Sequence, residues 1–429
     1  MKTSKKREFD SIQPSAGVGL YALESRKFKT VSARVYFLEP ISAQNATLSA
    51  LLPYIMRAGS EDYPGRRELA RAAEELYGAA VGVTATRFAD VQAIVGHADF
   101  PADRFLPKGS RELEKVLALM FGLVARPALD ANGAGFRPNV VELERAHLEQ
   151  ELKAMRDNRP GWASLRATQE TYKGLPAAIH EHGRVEDLSA ATPETLLRRH
   201  REVLNRARVM AFITGPVGTK TALRALQKAI KLPQGRRPRP SRASVPQLPG
   251  RARTCRENSE AEQTHLVFSY GGGAAYGGEG YAAMLLADAV FGGLSISRLF
   301  RVVREEHGLA YAVSSHYHRA RGTLFAQAAV DPGKGDEAAK LIRREFRRLV
   351  RGGATDEEFA SARTSLIESH HSSFDSPGAA VGDFVFQQVL GFSRSPRLQL
   401  RDIERVTQAE LRAALASLQP VLEYRLGPK

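Results

Sequence analysis

The order of apolar and polar positions divides the chain into short runs with a two-residue period and longer runs with a helical one, in mixed order. VGLYALES and TVSARVYFLE, within residues 17–39, are β-rich stretches separated by ArgLysPheLys, which predicts a hairpin opening a sheet. Residues 45–60 read as a helix. Leu48, Leu51, Leu52, Ile55 and Met56 fall at i, i+3, i+4, i+7 spacing, Asn45 is placed to cap the start, and Gly59 stands where a left-handed C-cap residue goes. A Tyr63-Pro64 turn, a helix through Glu74 and Leu76, and two strands, VGVTATR and DVQAIVGHAD, come next. Amphipathic helices are predicted over 111–126, closed by Pro127, and over 139–156, with a turn at 157–161 (AspAsnArgProGly). Thr192-Pro193-Glu194 opens another helix with Pro at the first helical position, and VMAFITGP at 209–216 is a strand running into a turn.

The stretch from Leu232 to Arg256 breaks this rhythm: it holds five prolines and several arginines with no periodicity, and reads as a semi-extended linker. Beyond it the second half of the chain repeats the first. THLVFSYG echoes ARVYFLEP, the helix predicted over 281–293 echoes that at 45, AYAVSSHYH and TLFAQAAV echo the strand pair, and the helix over 337–351 echoes that at 111. Local matches support the alignment. AspAsnArgProGly at 157 returns as PheAspSerProGly at 374, Asp187-Leu188 with Thr192 and Leu196 returns as Asp402-Ile403 with Thr407 and Leu411, and the closing strand returns as TyrArgLeuGlyPro at 424–428. Their offsets of 217, 215 and 212 are nearly one value, which indicates an internal duplication. The expected architecture is therefore α+β, with similar domains over 1–230 and 258–429 joined by a linker at 231–257.

Composition narrows the class. With 429 residues and 43% hydrophobic content, the chain can bury large cores. No run of eighteen apolar residues exists, and MKTSKKREFDSIQPSAG has no apolar core, so neither a membrane span nor a signal peptide is expected, and a cytoplasmic location is. The lone Cys255 fits a reducing compartment and an incidental linker thiol. A net charge of +15 suggests nucleic acid until its distribution is read. Nine basic residues against Glu257 fall within 228–258 and four more within the first seven positions, leaving +3 for the rest; no aromatic platform interleaves with arginine. Nucleic-acid binding is not expected.

Chemistry is notable for what is missing. A helical zinc site of the form HisXXGluHis or HisGluXXHis needs histidines four apart so that both imidazoles face one metal. None of the eleven histidines forms such a pair. His180 with His182, and His316 with His318, have strand spacing but no acidic or cysteine companion placed to complete a site. The glycine-rich run at 271–280 lacks both the dinucleotide-binding spacing and a Walker lysine, and reads as a flexible turn. There is no Gly-x-Ser-x-Gly elbow, and nucleophilic catalysis has no candidate.

The predicted helix at 45–60, coming after a strand and before the Tyr-Pro turn and LeuTyrGly, resembles the zinc helix of the M16 (insulinase, pitrilysin, processing-peptidase) family. Setting Gly59-Ser60 on that family's Gly-Thr puts Ala50 and Tyr54 on its two histidines and Pro53 on its general-base glutamate. Glu144 and Glu151 match its Glu-x6-Glu helix, whose second carboxylate is the third zinc ligand; alone, Glu151 holds no metal. Ser297-Arg298-Leu299-Phe300, Arg304-Glu305 and Gly308-Leu309-Ala310-Tyr311 resemble the family's C-terminal signature, in which the arginine and tyrosine contact the substrate's scissile carbonyl and backbone. LysPheLysThr at 27–30 and GluLeuTyrGlyAla at 75–79 resemble members that occur beside an active partner, while the short GlyGlyLeuSerIleSer run before Arg298 departs from the glycine-rich loop of the processing-peptidase α subunit. The resemblance covers the whole chain and implies two homologous M16-type (LuxS/MPP-like) domains, each a mostly antiparallel sheet packed with helices. It further implies a non-catalytic subunit in a heterodimer with an M16 paralogue that carries HisXXGluHis and the zinc, acting on peptide or unfolded polypeptide, with Arg304 and Tyr311 lent to the shared chamber and no hydrolysis by this chain alone. The alternative is an inert scaffold of the same fold. In that case the Arg304 and Tyr311 pair would be dispensable; as plain structural residues, Arg304 would pair with Glu305 or Glu306 on a helix surface and Tyr311 would be a buried strand residue.

Overall fold

The computed structural model describes residues 9–233, 235, 237, 238, 248, 252–373 and 376–428. In chain order the strands and helices are β1 (Asp10–Ser15), β2 (Val18–Glu24), β3 (Thr30–Pro40), α1 (Ala46–Met56), α2 (Arg66–Glu75), β4 (Ala80–Phe88), β5 (Val91–Pro101), α3 (Glu112–Ala125), α4 (Pro138–Ala154), α5 (Arg159–Thr171), α6 (Pro193–Arg206), β6 (Arg208–Gly215) and α7 (Thr219–Ala229). The remainder are β7 (Arg253–Asn258), β8 (Thr264–Gly271), α8 (Tyr281–Asp288), β9 (Ala310–His318), β10 (Thr323–Val330), α9 (Gly335–Gly352), α10 (Asp356–Ser373), α11 (Pro377–Leu390), α12 (Pro396–Arg405), α13 (Gln408–Ser417) and β11 (Gln419–Gly427). Among the described residues no helix is long and apolar enough to cross a membrane.

The α+β expectation holds, and the two sheets carry the duplication in their topology. One runs β1-β2-β6-β3-β5-β4 and the other β7-β11-β8-β10-β9. Apart from β1 the orders are the same: the final strand of each half inserts beside the strand preceding the first helix, pairing antiparallel with it and parallel with the outer one, β2 or β7. This corrects the predicted hairpin at 17–39. Its two strands exist, but β6 lies between them, because VMAFITG is apolar at successive positions and is buried throughout, which suits a central strand and not an edge.

The compact units are not contiguous in sequence. The first gathers residues 1–153, 179–241 and 376–389; the second gathers 154–178, 242–375 and 390–429. Helix α5 thus packs in the second unit, where Ala163, Ala167 and Tyr172 meet Val267, Phe325, Leu422 and Tyr424 of the sheet. Helix α11 packs in the first, with Val381, Val385 and Val389 on Tyr36, Leu38, Met210 and Phe212. The repeated AspAsnArgProGly motif stands at the head of α5, not in an isolated turn: Asn158 caps the helix by accepting from the Gly161 amide. In the second copy Phe374 and Asp375 lie outside the described residues. The predicted linker also falls largely outside them, and it ends earlier than expected, since residues from Arg253 form β7; Cys255 is half-buried in that strand and packs against the α5 cluster.

Candidate functional site

Helix α1 is short and apolar, and three polar ties fix its position in the first unit. Gln92 Nε2 donates to the Ala46 carbonyl at 3.0 Å, Thr47 Oγ1 donates to Asp187 at 3.1 Å, and the buried Arg199 of α6 donates to Ser49 Oγ at 3.0 Å while also pairing with Glu39 and Glu202. The predicted caps act differently from expectation. The Asn45 side chain accepts from the Ser42 amide and so ties the preceding turn together instead of capping α1. Gly59 has φ 157°, not a left-handed helical value, and is required because a Cβ there would lie 2.6 Å from the Pro64 carbonyl oxygen.

On this helix Ala50 is 1% exposed and Pro53 is buried inside the helix, removing the amide that would bond the Ser49 carbonyl. Tyr54 faces α4. Its hydroxyl donates to Glu151 Oε2 at 2.5 Å, so two of the positions singled out from the sequence are brought into contact. Burial and then the Glu151 carboxylate push the Tyr54 phenol up to about 12, so it remains a donor at any physiological pH. Around this pair stand residues the sequence reading did not single out. His147 approaches Glu151 Oε1 with Nε2 at 3.3 Å and Glu144 Oε2 with Nδ1 at 3.6 Å, and its ring meets that of Tyr54 edge-on at 5.6 Å. Arg66 pairs with the otherwise buried Glu144, and the Arg57 guanidinium lies 4.8 Å from the Tyr54 ring centre. The signal for His147 was available: it sits three residues after Glu144 and four before Glu151, on their side of the helix. Arg57, Arg66, Leu143, Glu144 and His147 line a cavity of about 370 Å³.

A zinc ion of the kind the M16 zinc helix holds does not fit these residues. Tetrahedral zinc takes imidazole, thiolate or carboxylate donors. Ala50 and Pro53 offer none, Tyr54 presents a neutral phenol, and both glutamates are already engaged by cationic or donor groups. Among the described residues no group of three His, Cys, Asp or Glu side chains is placed to hold a metal ion. His180 and His182 lie in a turn, not on a strand as their spacing suggested, with rings 5.4 Å apart. In β9, His316 stacks on Phe325 and His318 Nδ1 bonds the Tyr172 hydroxyl at 2.9 Å.

Arg304 and Tyr311 belong to the second unit. Helix α8 continues into a π-helical turn at Ala289–Gly293, and a second one spans Phe300–Glu306 and carries Arg304. The guanidinium of Arg304 is exposed and lies 4.8 Å from the Phe300 ring centre; Glu306 is engaged by Arg301 instead. Tyr311 is 60% exposed on edge strand β9, not buried, and its hydroxyl donates to Asp331 at 2.9 Å. Arg304 is thus not paired with Glu306, and Tyr311 is not a buried strand residue. Behind them Asp288, at the end of α8, accepts from Ser315 Oγ and the Tyr317 amide and so fastens the helix to β9; burial raises its carboxyl to about 6.

Comparison with known proteins agrees with these features. Residues 190–366 match the family described as Peptidase M16 inactive domain. The chain is 25% identical over 411 residues to the probable inactive metalloprotease YmfF of Bacillus subtilis, covering 96% of each. It is 29% identical over 318 residues to the uncharacterized zinc protease Rv2782c of Mycobacterium tuberculosis, covering 70% of this chain and 69% of that one. In fold it is similar to a conserved protein from Enterococcus faecalis, with TM-score 0.90, 22% identity and 98% and 99% of the two chains covered. A peptidase M16 inactive domain from Pseudomonas fluorescens gives TM-score 0.82, 20% identity and 98% coverage of each.

Proposed function

We propose that this chain, which resembles peptidase M16 proteins along its length and lacks their zinc-binding motif, is the non-catalytic subunit of a two-chain zinc peptidase. A paralogous partner supplies HisXXGluHis, the zinc ion and the attacking water. This chain closes the chamber around a peptide or unfolded polypeptide and contributes Arg304 and Tyr311. The observation that carries the reading is the replacement at α1, where the Tyr54 hydroxyl is bound to Glu151 on the face that the family uses for metal. The substituted side chain still ties α1 to α4 through that bond, so the fold survives while the hydrolytic centre is lost.

The second unit keeps groups suited to a substrate. A guanidinium and a phenol can each donate to a carbonyl oxygen as it gains charge, which is the main electrostatic need of acyl-transfer chemistry. Arg304 has no acid partner among the described residues, and Tyr311 stands on an exposed edge, exchanging Asp331 for the substrate when it acts.

The test is reconstitution with the HisXXGluHis-bearing paralogue of the same organism. Arg304→Ala and Tyr311→Phe should leave assembly intact by size-exclusion chromatography and lower peptide turnover by on the order of 10² to 10³, the loss of about 3 kcal/mol typical of an oxyanion donor. A surface contact alone would be worth less than about 1 kcal/mol of stability and little activity. Wild-type turnover by the double variant would refute the role of the pair and favour the scaffold alternative.

A further inference from the structure

The second unit contains a cavity that the peptidase reading does not use. It opens between α9, the end of β8 and the start of β11, with a volume of about 420 Å³, within the range of small-molecule sites. Phe268, Phe346, Val350 and Leu418 make its apolar wall. Phe346 stacks on Tyr270 at 4.0 Å between ring centres, and the Tyr270 hydroxyl is buried without a hydrogen-bond partner among the described residues.

The charges on this wall are unbalanced. Arg343, Arg347 and Arg351 recur every fourth residue along α9, so they share one face of the helix and all line the cavity. Glu423 is the acidic residue among the lining groups, and it is taken by Arg343 and Arg425. The neighbouring Arg344 and Arg348 are both answered by Glu345. The Arg347 side chain bonds only its own helix, Nε to the Arg343 carbonyl at 3.2 Å, and the Arg351 side chain makes no hydrogen bond or ion pair among the described residues. Two guanidinium groups with no acid partner thus stand beside an apolar pocket. Like charges at this spacing disfavour a helix, so an anion between them relieves a repulsion that the fold itself leaves in place.

We propose that this cavity binds a small amphiphilic carboxylate, its apolar group against Phe346 and Leu418 and its carboxylate on Arg347 and Arg351. Guanidinium recognises carboxylate through paired parallel hydrogen bonds, which a neutral head group cannot reproduce. Two sources share this chemistry: a free medium-chain or aryl acid, and the apolar C-terminal residue of a peptide.

Isothermal titration of the full chain with octanoate, octan-1-ol, N-acetyl-Ala-Phe and the amide of that dipeptide tests this. The carboxylates should bind about tenfold or more tighter than their neutral analogues, since a charge-assisted contact is worth about one decade in affinity. Arg347→Gln with Arg351→Gln should abolish that difference. Ala416→Phe, at an exposed rim position, should block both carboxylates while circular dichroism shows the fold retained. Binding of octanoate only, of the dipeptide only, or of both supports the site and tells a free acid from a chain end. Binding of neither, equal binding of the neutral analogues, or indifference to either variant would overturn it.

Discussion

The contact that has replaced metal ligation can be weighed directly. Tyr54→Phe removes one oxygen and leaves the ring against His147 and under Arg57, so the variant reports on the hydroxyl alone. Hydrogen bonds to a charged group contribute about 1.5–3 kcal/mol. The Glu151 side chain is 42% exposed, so water recovers part of this, and a coupling of about 1–1.5 kcal/mol is expected in a Tyr54→Phe, Glu151→Gln double-mutant cycle. A control sits on the same helix. Glu149, 41% exposed, pairs with Lys153 one turn on, a solvent-screened contact that joins no second element and should couple more weakly. Because a chain of two units need not unfold in one step, the assay is native-state hydrogen exchange of the α1 and α4 amides, supported by urea titration. A Tyr54–Glu151 coupling no larger than that of Glu149 and Lys153 would refute the idea that this bond stitches α1 to α4.

Three further outcomes are expected. The purified chain should bind no stoichiometric zinc by elemental analysis, and Ala50→His with Pro53→Glu and Tyr54→His should not yield an efficient enzyme in isolation, since Arg66 and His147 still occupy the carboxylates and ligand orientation is untuned; robust zinc-dependent turnover would contradict this. Arg199→Met strands Glu39 and should cost about 3–5 kcal/mol of stability in urea titration, whereas Arg199→Met with Glu39→Leu should recover most of the loss. Burial, then His182 and Arg87, lowers His180 to about 4, so the unfolded chain takes up its proton first; stability of the first unit should fall by about 2–3 kcal/mol as pH drops from 6.5 towards 4, and His180→Gln should remove that component.

How far the sequence could be read depended on how local each feature is. The absence of a zinc motif is a matter of histidine spacing along a helix and needed no structure. The duplication was legible because AspAsnArgProGly and the capping threonines recur at nearly one offset, and Thr192 and Thr407 do form matching capping boxes. Strand pairing was not legible. β2 and β3 are neighbours in sequence, and only the burial of both faces of β6 places it between them. The environment of Tyr54 was half legible: Glu151 came from its spacing to Glu144 and His147 could have come from its spacing to both, but the Arg66–Glu144 and Tyr54–Glu151 contacts depend on how α1, α2 and α4 meet. For Tyr311, alternation along β9 could not distinguish an edge from an interior strand, and its exposure comes from β9 having a partner on one side only.

The interleaving of the two units orders events on the ribosome. The face of the first sheet formed by Tyr36, Leu38, Val95 and Phe212 is complete once β6 has emerged, but α11, which covers it, is encoded far downstream. At about 5–20 residues per second, the interval between Gly215 and Pro377 is on the order of ten seconds or more, during which this apolar face has no cover of its own. Helix α5 meets the opposite situation, leaving the exit tunnel before any strand of the sheet it packs on exists. A nascent chain stopped after residue 241 is therefore one sheet short of a helix and one helix short of a sheet, and it is a natural client for a chaperone until the last third of the message is translated.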